Sequence, residues 1–134
     1  VKITADTNLL VRALMGDDKK QSRLAQNELA QADMVALSVT ALCELVWVLS
    51  QGYKIPVAEI IEAIKVLCNS SNVVANRPAV EAGLALLASG GDFADGIIAY
   101  EGKWLGAETF VSFDRKAVKL LESRGATARW RHYT

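Results

Sequence analysis

The hydrophobic positions of this chain fall into short extended runs separated by longer stretches of helical spacing, and the two kinds alternate along its length. Val1–Ala5 reads as a strand that runs straight into an acid, a hydroxyl and an amide, Asp6-Thr7-Asn8. Leu9, Leu10, Ala13 and Leu14 then take up the spacing of a short helix. Met15-Gly16-Asp17-Asp18 breaks that helix, and Asp17 or Asp18 caps a weakly amphipathic one over Lys19–Ala32. Met34–Val39 is a second strand. Ser38 and Thr40 are both placed to cap a helix over about Ala41–Gln51, where Leu42, Leu45, Val46 and Leu49 form one stripe and Gly52 ends it. Pro56 opens the next helix, with Ile60, Ile61, Ile64, Val66, Leu67 and Cys68 as its buried face. Val73–Ala75 is a third strand, followed by a helix from Pro78 to Leu87, the loop Ser89-Gly90-Gly91 and a helix over Asp92–Leu105. Thr109–Phe113 is a fourth strand, Asp114–Ser123 a basic helix, and Ala126–Arg129 a weaker fifth strand. The pattern does not place the tail, Trp130–Thr134.

Strands alternating with helices predict an α/β fold: a central, mostly parallel sheet of four or five strands covered on both faces, three layers in all. Length and the lack of a linker or repeat predict one domain over residues 1–129. With 51% hydrophobic and 22% charged residues the chain can bury a core. No uncharged apolar run reaches the ~18 residues of a membrane helix, so no membrane partner is expected. No apolar leader is visible, and Cys43 and Cys68 both lie in apolar helical patterns, which predicts reduced core thiols in a cytoplasmic protein.

Formal charge is zero, yet residues 1–102 hold 8 Lys/Arg against 12 Asp/Glu while residues 103–134 hold 7 against 3. A basic end of this kind steers a polyanion, or is an ordinary solvated helix face. The acids are more informative. Asp6 follows the first strand, Glu44 lies one turn into the helix after the second, Asp95 sits in the first turn after Gly90-Gly91-Asp92, and Asp114 follows the fourth strand. In a parallel sheet such turns share the carboxyl edge, where ligands bind. Each acid is also placed as a helix-terminus residue, and Asp92 reads first as an N-cap with Asp95 three residues on. Glu44 has Ala41, Trp47 and Val48 around it on the helical wheel, partly apolar surroundings in which a carboxylate needs a partner. Four converging carboxylates demand a cation, and oxygen donors without His or Cys suit Mg²⁺ or Mn²⁺. His132 is the one histidine, in the tail, so a Ser-His-Asp triad, a Cys-His pair or a His-based zinc site is not expected, and no phosphate loop is present, because no Lys-Ser/Thr follows Gly90-Gly91. Acid-held divalent ions chiefly serve phosphoryl chemistry.

Four stretches in this order resemble the PIN domain, and within it the VapC-like toxins of toxin–antitoxin pairs. They are the strand ending in Asp6-Thr7-Asn8, Thr40-Ala41-Leu42-Cys43-Glu44-Leu45, Asp92-Phe93-Ala94-Asp95-Gly96-Ile97-Ile98-Ala99, and Ser112-Phe113-Asp114. The resemblance implies a sheet order 3-2-1-4-5 and a catalytic, metal-binding quartet of Asp6, Glu44, Asp95 and Asp114. In it Asp6 and Asp95 are the leading ligands, Asp114 binds directly or through water, and Glu44 completes the site and orients or deprotonates the attacking water. Thr7, Asn8 and Ser112 would brace the acids. The activity implied is a Mg²⁺-dependent endoribonuclease, with Mn²⁺ as substitute, acting on RNA, with an antitoxin protein and a second copy of the chain as partners. Arg115, Lys116 and Lys119 are the candidate RNA contacts. Trp47, Val48 and Tyr53 offer a partner-facing patch, with core packing the preferred explanation. Gly96 stands where the family often has Ala, which predicts a helix locally looser by roughly 1 kcal/mol; the start at Val1 is read as an absent initiator Met. The alternative is a PIN-fold RNA-binding or scaffold module with weak turnover. A phosphatase would want Asp-x-Asp where the chain has Asp6-Thr7-Asn8.

Overall fold

The computed structural model describes residues 1–132, which form two compact units, Val1–Arg77 and the segment from Pro78 onward. In the first, β1 (Lys2–Thr4), α1 (Thr7–Leu14), α2 (Lys19–Gln31), β2 (Met34–Leu37), α3 (Val39–Trp47), α4 (Val57–Cys68) and β3 (Val73–Ala75) follow in order. The second has α5 (Arg77–Ala88, beginning on the last residue of the first unit), α6 (Phe93–Trp104), β4 (Phe110–Ser112), α7 (Arg115–Ser123) and β5 (Ala128–Trp130).

All strand pairs are parallel. β2 is the middle strand of the first sheet, Ile3 opposite Val35 and Ala36 opposite Val74, and the order is 3-2-1. In the second unit β4 pairs with β5, Val111 opposite Arg129. The strands are thus ordered as expected within each unit, with hydrogen bonding divided between a three-stranded and a two-stranded sheet. Parallel strands with intervening helices make an α/β fold.

Local chemistry explains the helix starts. Asp6, Asp18, Ser38, Asp92 and Asp114 each precede a helix in extended conformation and accept a hydrogen bond from a backbone N–H two or three residues on. The Ser38 cap begins α3 at Val39, two residues before the expected start, and leaves Thr40 inside the helix. Its far end departs too: after Trp47 the backbone loosens into a π-helical turn, Val48–Gly52, in which the Tyr53 N–H bonds to the Val48 carbonyl. β5 lies one to two residues later than predicted, so Trp130 belongs to a strand and not to the tail. Tyr133 and Thr134 lie outside the described residues.

The first unit buries Leu10 and Val11 of α1, Val35 and Leu37 of β2, Leu42, Leu45 and Val46 of α3, and Ile60, Ile64, Leu67 and Cys68 of α4. Val66, read as part of the α4 buried face, is 62% exposed, because on the wheel it falls on the side away from Ile60, Ile64, Leu67 and Cys68. Cys68 is buried, which pushes its thiol pKa up, whereas Cys43, also expected in the core, is only half-buried. In the second unit Val80, Leu84, Leu86 and Leu87 of α5 are buried, with Phe93 and Ile97 of α6 and Val118 and Leu121 of α7. Gly83 and Gly96 mark where α5 and α6 come closest. A Cβ on Gly96 would lie 2.5 Å from the Ala82 carbonyl oxygen and 2.9 Å from the Gly83 Cα. The predicted looseness at Gly96 is therefore corrected: the glycine is where one helix backbone rests on another. Among the described residues no helix is long and apolar enough to cross a membrane.

Candidate active site

Asp92, Asp95 and Asp114 line one cleft of about 250 Å³ in the second unit, together with Gly90, Gly91 and Lys116. Three local features build it. Gly90 takes φ +95°, which turns the chain out of α5. Gly91 has no room for a side chain, since a Cβ there would lie 2.9 Å from both Leu86 Cγ and Leu120 Cδ1, and α7 comes up against the loop. Asp92 and Asp114 then cap α6 and α7 from the two sides: Asp92 Oδ1 accepts from the Ala94 N–H at 2.7 Å, and Asp114 Oδ1 from the Ala117 N–H at 3.1 Å. Ser112 Oγ accepts the Asp114 backbone N–H at 2.9 Å.

Asp95 is half-buried one residue before the Gly96 contact with α5. Burial, and then the charges of Asp92 and Asp114, push its carboxyl above the usual range. Its place in the first turn of a helix favours the ionised form, but desolvation and two like charges outweigh that. A divalent cation would relieve both. Lys116, one of the candidate RNA contacts, also lines the cleft. Lys119 is exposed further along α7, and Arg115 reaches the Trp130 ring.

The remaining acids belong to the first unit. Asp6 caps α1, its Oδ1 2.9 Å from the Leu9 N; Thr7 and Asn8 are the first two residues of that helix. Because β1 and β2 are parallel, Asp6 and the Ser38 cap of α3 share the carboxyl edge of their sheet. Glu44 lies five residues beyond Val39, about 7.5 Å along the helix, and is exposed. Its partly apolar surroundings are corrected accordingly: Trp47, one turn on, is itself 66% exposed and does not shield it. The preferred core-packing explanation for Trp47 fails with it. Val48 is half-buried, as is Tyr53, whose hydroxyl donates to Asp17 Oδ2 at 2.8 Å and lowers the Asp17 pKa.

Among the described residues no three His, Cys, Asp or Glu side chains are drawn together closely enough to hold a metal ion ready-made. The donor chemistry nevertheless fits a hard divalent cation: the side-chain oxygens that line the cleft are those of Asp92, Asp95 and Asp114, and the cap bonds of Asp92 and Asp114 are made by Oδ1. Asp92 is the residue that sequence reasoning undervalued. It is the expected N-cap, and it also faces the cleft, which its three-residue spacing from Asp95 signals.

The sequence model of the PIN domain family matches residues 3–121. The chain is a PIN domain. The match takes in every acid described above and both sheets, save β5, and a PIN domain accords with the three-layer α/β/α arrangement expected of these strands and helices. PIN domains are generally nucleases acting on RNA or DNA, typically with divalent metals. No curated protein matches the chain.

Proposed function

We propose that this PIN domain is a Mg²⁺-dependent endoribonuclease, with Mn²⁺ as substitute, and the toxin of a toxin–antitoxin pair acting in the cytoplasm. The observation that carries the nuclease reading is the cleft of the second unit. There, Asp95 is kept partly out of water beside Asp92 and Asp114, an arrangement that disfavours the ionised form of Asp95 unless a cation is present. Asp95 and Asp114 are assigned as ligands, and the family resemblance gives Asp6 and Glu44 the same standing. A bound divalent ion supplies positive charge to the leaving oxygen of an in-line displacement and makes a nearby water more acidic. The protein's own groups do the rest. Asp92 and Asp114 each hold a helix N–H with one oxygen, which fixes the plane of the carboxylate. Lys116 offers an ammonium group to a phosphate entering the cleft. Glu44, exposed on α3, is the group assigned to orient the attacking water or accept its proton. A small antitoxin covering the site and a homodimeric toxin complete the reading, with the exposed Trp47 as a candidate contact.

The test is cleavage of total RNA with mapped ends. Asp95→Asn and Asp6→Asn are each expected to abolish Mn²⁺-dependent cutting while the far-UV circular dichroism spectrum stays that of wild type. Wild-type turnover in excess EDTA would overturn the metal mechanism. One observation favours a second reading, a binding or scaffold module with weak turnover: among the described residues no three acids are drawn together closely enough to hold a metal ion. That reading requires RNA binding with no response of cleavage to added metal.

A further inference from the structure

Strand β5 is paired on one side only. The Phe110 N–H donates to the Thr127 carbonyl at 3.0 Å and the Arg131 N–H to the Ser112 carbonyl at 2.8 Å, so Thr127, Arg129 and Arg131 turn their backbone groups towards β4. Successive residues of a strand turn theirs to opposite edges, which leaves the N–H and C=O of Ala128 and Trp130 on the outer edge. Among the described residues no other strand pairs there and no backbone group bonds to them. The edge is nevertheless held in shape. α7 packs against β5, Ala128 is half-buried, and the Trp130 indole N–H donates to the Phe113 carbonyl at 3.0 Å.

An extended edge with open N–H and C=O groups is a template for another strand. Short length and charge blunt such an edge, and here the charge decides what it can accept. Arg129 and Arg131 lie on one face, both exposed, and among the described residues neither is in an ion pair. A second copy pairing through β5 would bring these arginines up to its own, and like charges on neighbouring strands repel. A strand with acidic side chains on that face turns the same contacts into attractions while its backbone makes the edge bonds, so that main chain supplies affinity and side chains supply specificity.

We propose that the open edge of β5 takes up an extended acidic segment of a partner protein as an added strand, its backbone pairing with Ala128 and Trp130 and its carboxylates lying beside Arg129 and Arg131. The proposal goes beyond the nuclease reading and does not depend on it.

The test is titration of the isotope-labelled full chain with three short capped peptides, followed through the amide NMR shifts. One peptide alternates Glu and Val, one has Lys in place of every Glu, and one is the Glu peptide with every amide N-methylated, which keeps its charge but cannot donate to an edge. The Glu peptide is expected to shift the Ala128 and Trp130 amides most and to bind about tenfold more tightly than either of the others. Ala128→Pro removes an outward N–H at an edge position that tolerates proline and is expected to weaken the Glu peptide by a similar factor. Arg129→Glu combined with Arg131→Glu is expected to reverse the preference in favour of the Lys peptide, which keeps the test decisive if Ala128→Pro fails to fold. Lys20→Glu, which changes an exposed charge on α2, is expected to alter nothing. A Glu peptide that does not bind, or that shifts amides away from β5, would overturn the proposal. So would equal binding of the N-methylated peptide, which would make the arginines a site for any polyanion, and so would an Ala128→Pro variant that folds and binds as wild type does. A wild type that sediments as a dimer beside a monomeric Ala128→Pro variant would give the edge to a second copy and overturn it too. None of these readouts involves cleavage, so failure here leaves the nuclease reading standing, and absence of metal-dependent cleavage leaves the edge untouched.

Discussion

Replacing Gly96 by alanine sets backbone propensity against packing, and the geometry decides between them. In the middle of an exposed helix the change would gain about 1 kcal/mol. Here the new Cβ would stand 2.5 Å from the Ala82 carbonyl oxygen, 2.9 Å from the Gly83 Cα and 3.1 Å from the Ala82 carbonyl carbon. Ordinary contact begins at 3.4 Å, so the shortfall approaches an ångström, and every obstructing atom is backbone. No side chain can rotate away; α5 and α6 must part. Parting them loosens Phe93, whose ring edge lies 2.8 Å from where a Gly83 Cβ would be. Overpacking costs about 1–3 kcal/mol, and an unyielding neighbour puts this case at the upper end, so the net loss after propensity is about 2 kcal/mol. Gly102 is the control. It lies in the same helix with nothing within 4 Å of its Cβ position, so Gly102→Ala keeps the propensity gain, about 0.5–1 kcal/mol. Urea unfolding followed at 222 nm reads both. With a slope near 1.5–2 kcal/mol per molar, the midpoint falls by about 1 M for Gly96→Ala and rises by about 0.3–0.7 M for Gly102→Ala. A Gly96→Ala midpoint at or above wild type would refute the account of the α5–α6 crossing. It would also refute the account of how Asp95, one residue away, comes to be half-buried.

Two further outcomes follow from the same geometry. Ser38→Ala removes the oxygen that accepts the Ala41 N–H at 3.1 Å and is expected to cost about 1 kcal/mol in urea unfolding, whereas Thr40→Ala, inside α3, should lie within ~0.5 kcal/mol of wild type. For Asp95 the sign follows from linkage. The fold raises its pKa above the unfolded value, so the stability that it contributes is fully present below about pH 4 and is lost as pH rises through the folded pKa. In metal-free buffer Asp95→Asn should therefore melt above wild type at pH 7, with the gap closing on acidification. A variant that melts below wild type at pH 7 would mean that Asp95 is not disfavoured as an anion.

What could be read from the amino-acid order was whatever depends on neighbours within a turn. Caps at Asp6, Asp18, Ser38, Asp92 and Asp114 are bonds to a backbone N–H two or three residues on, and a short polar residue before an apolar helix signals them directly. What could not be read depends on contacts that reach beyond one helical turn. Gly96 meets α5, Trp130 becomes a strand residue only by registering with Ser112, and the end of α3 slackens because Tyr53 bonds back to Val48. The same division sorts the acids. Asp6, Asp92 and Asp114 are capping residues, and in isolation capping competes with ligation as an explanation for an acid at a helix start. The bonds made here remove that competition. Each cap is made by Oδ1, which stills the carboxylate and lowers the entropy cost of offering Oδ2 to a ligand. Asp95 is held instead by the packing around Gly96, at the cost of a disfavoured charge. A cation would be bound by oxygens that the helices have already oriented, and the gain in binding it would come first from the one carboxylate that the fold strains.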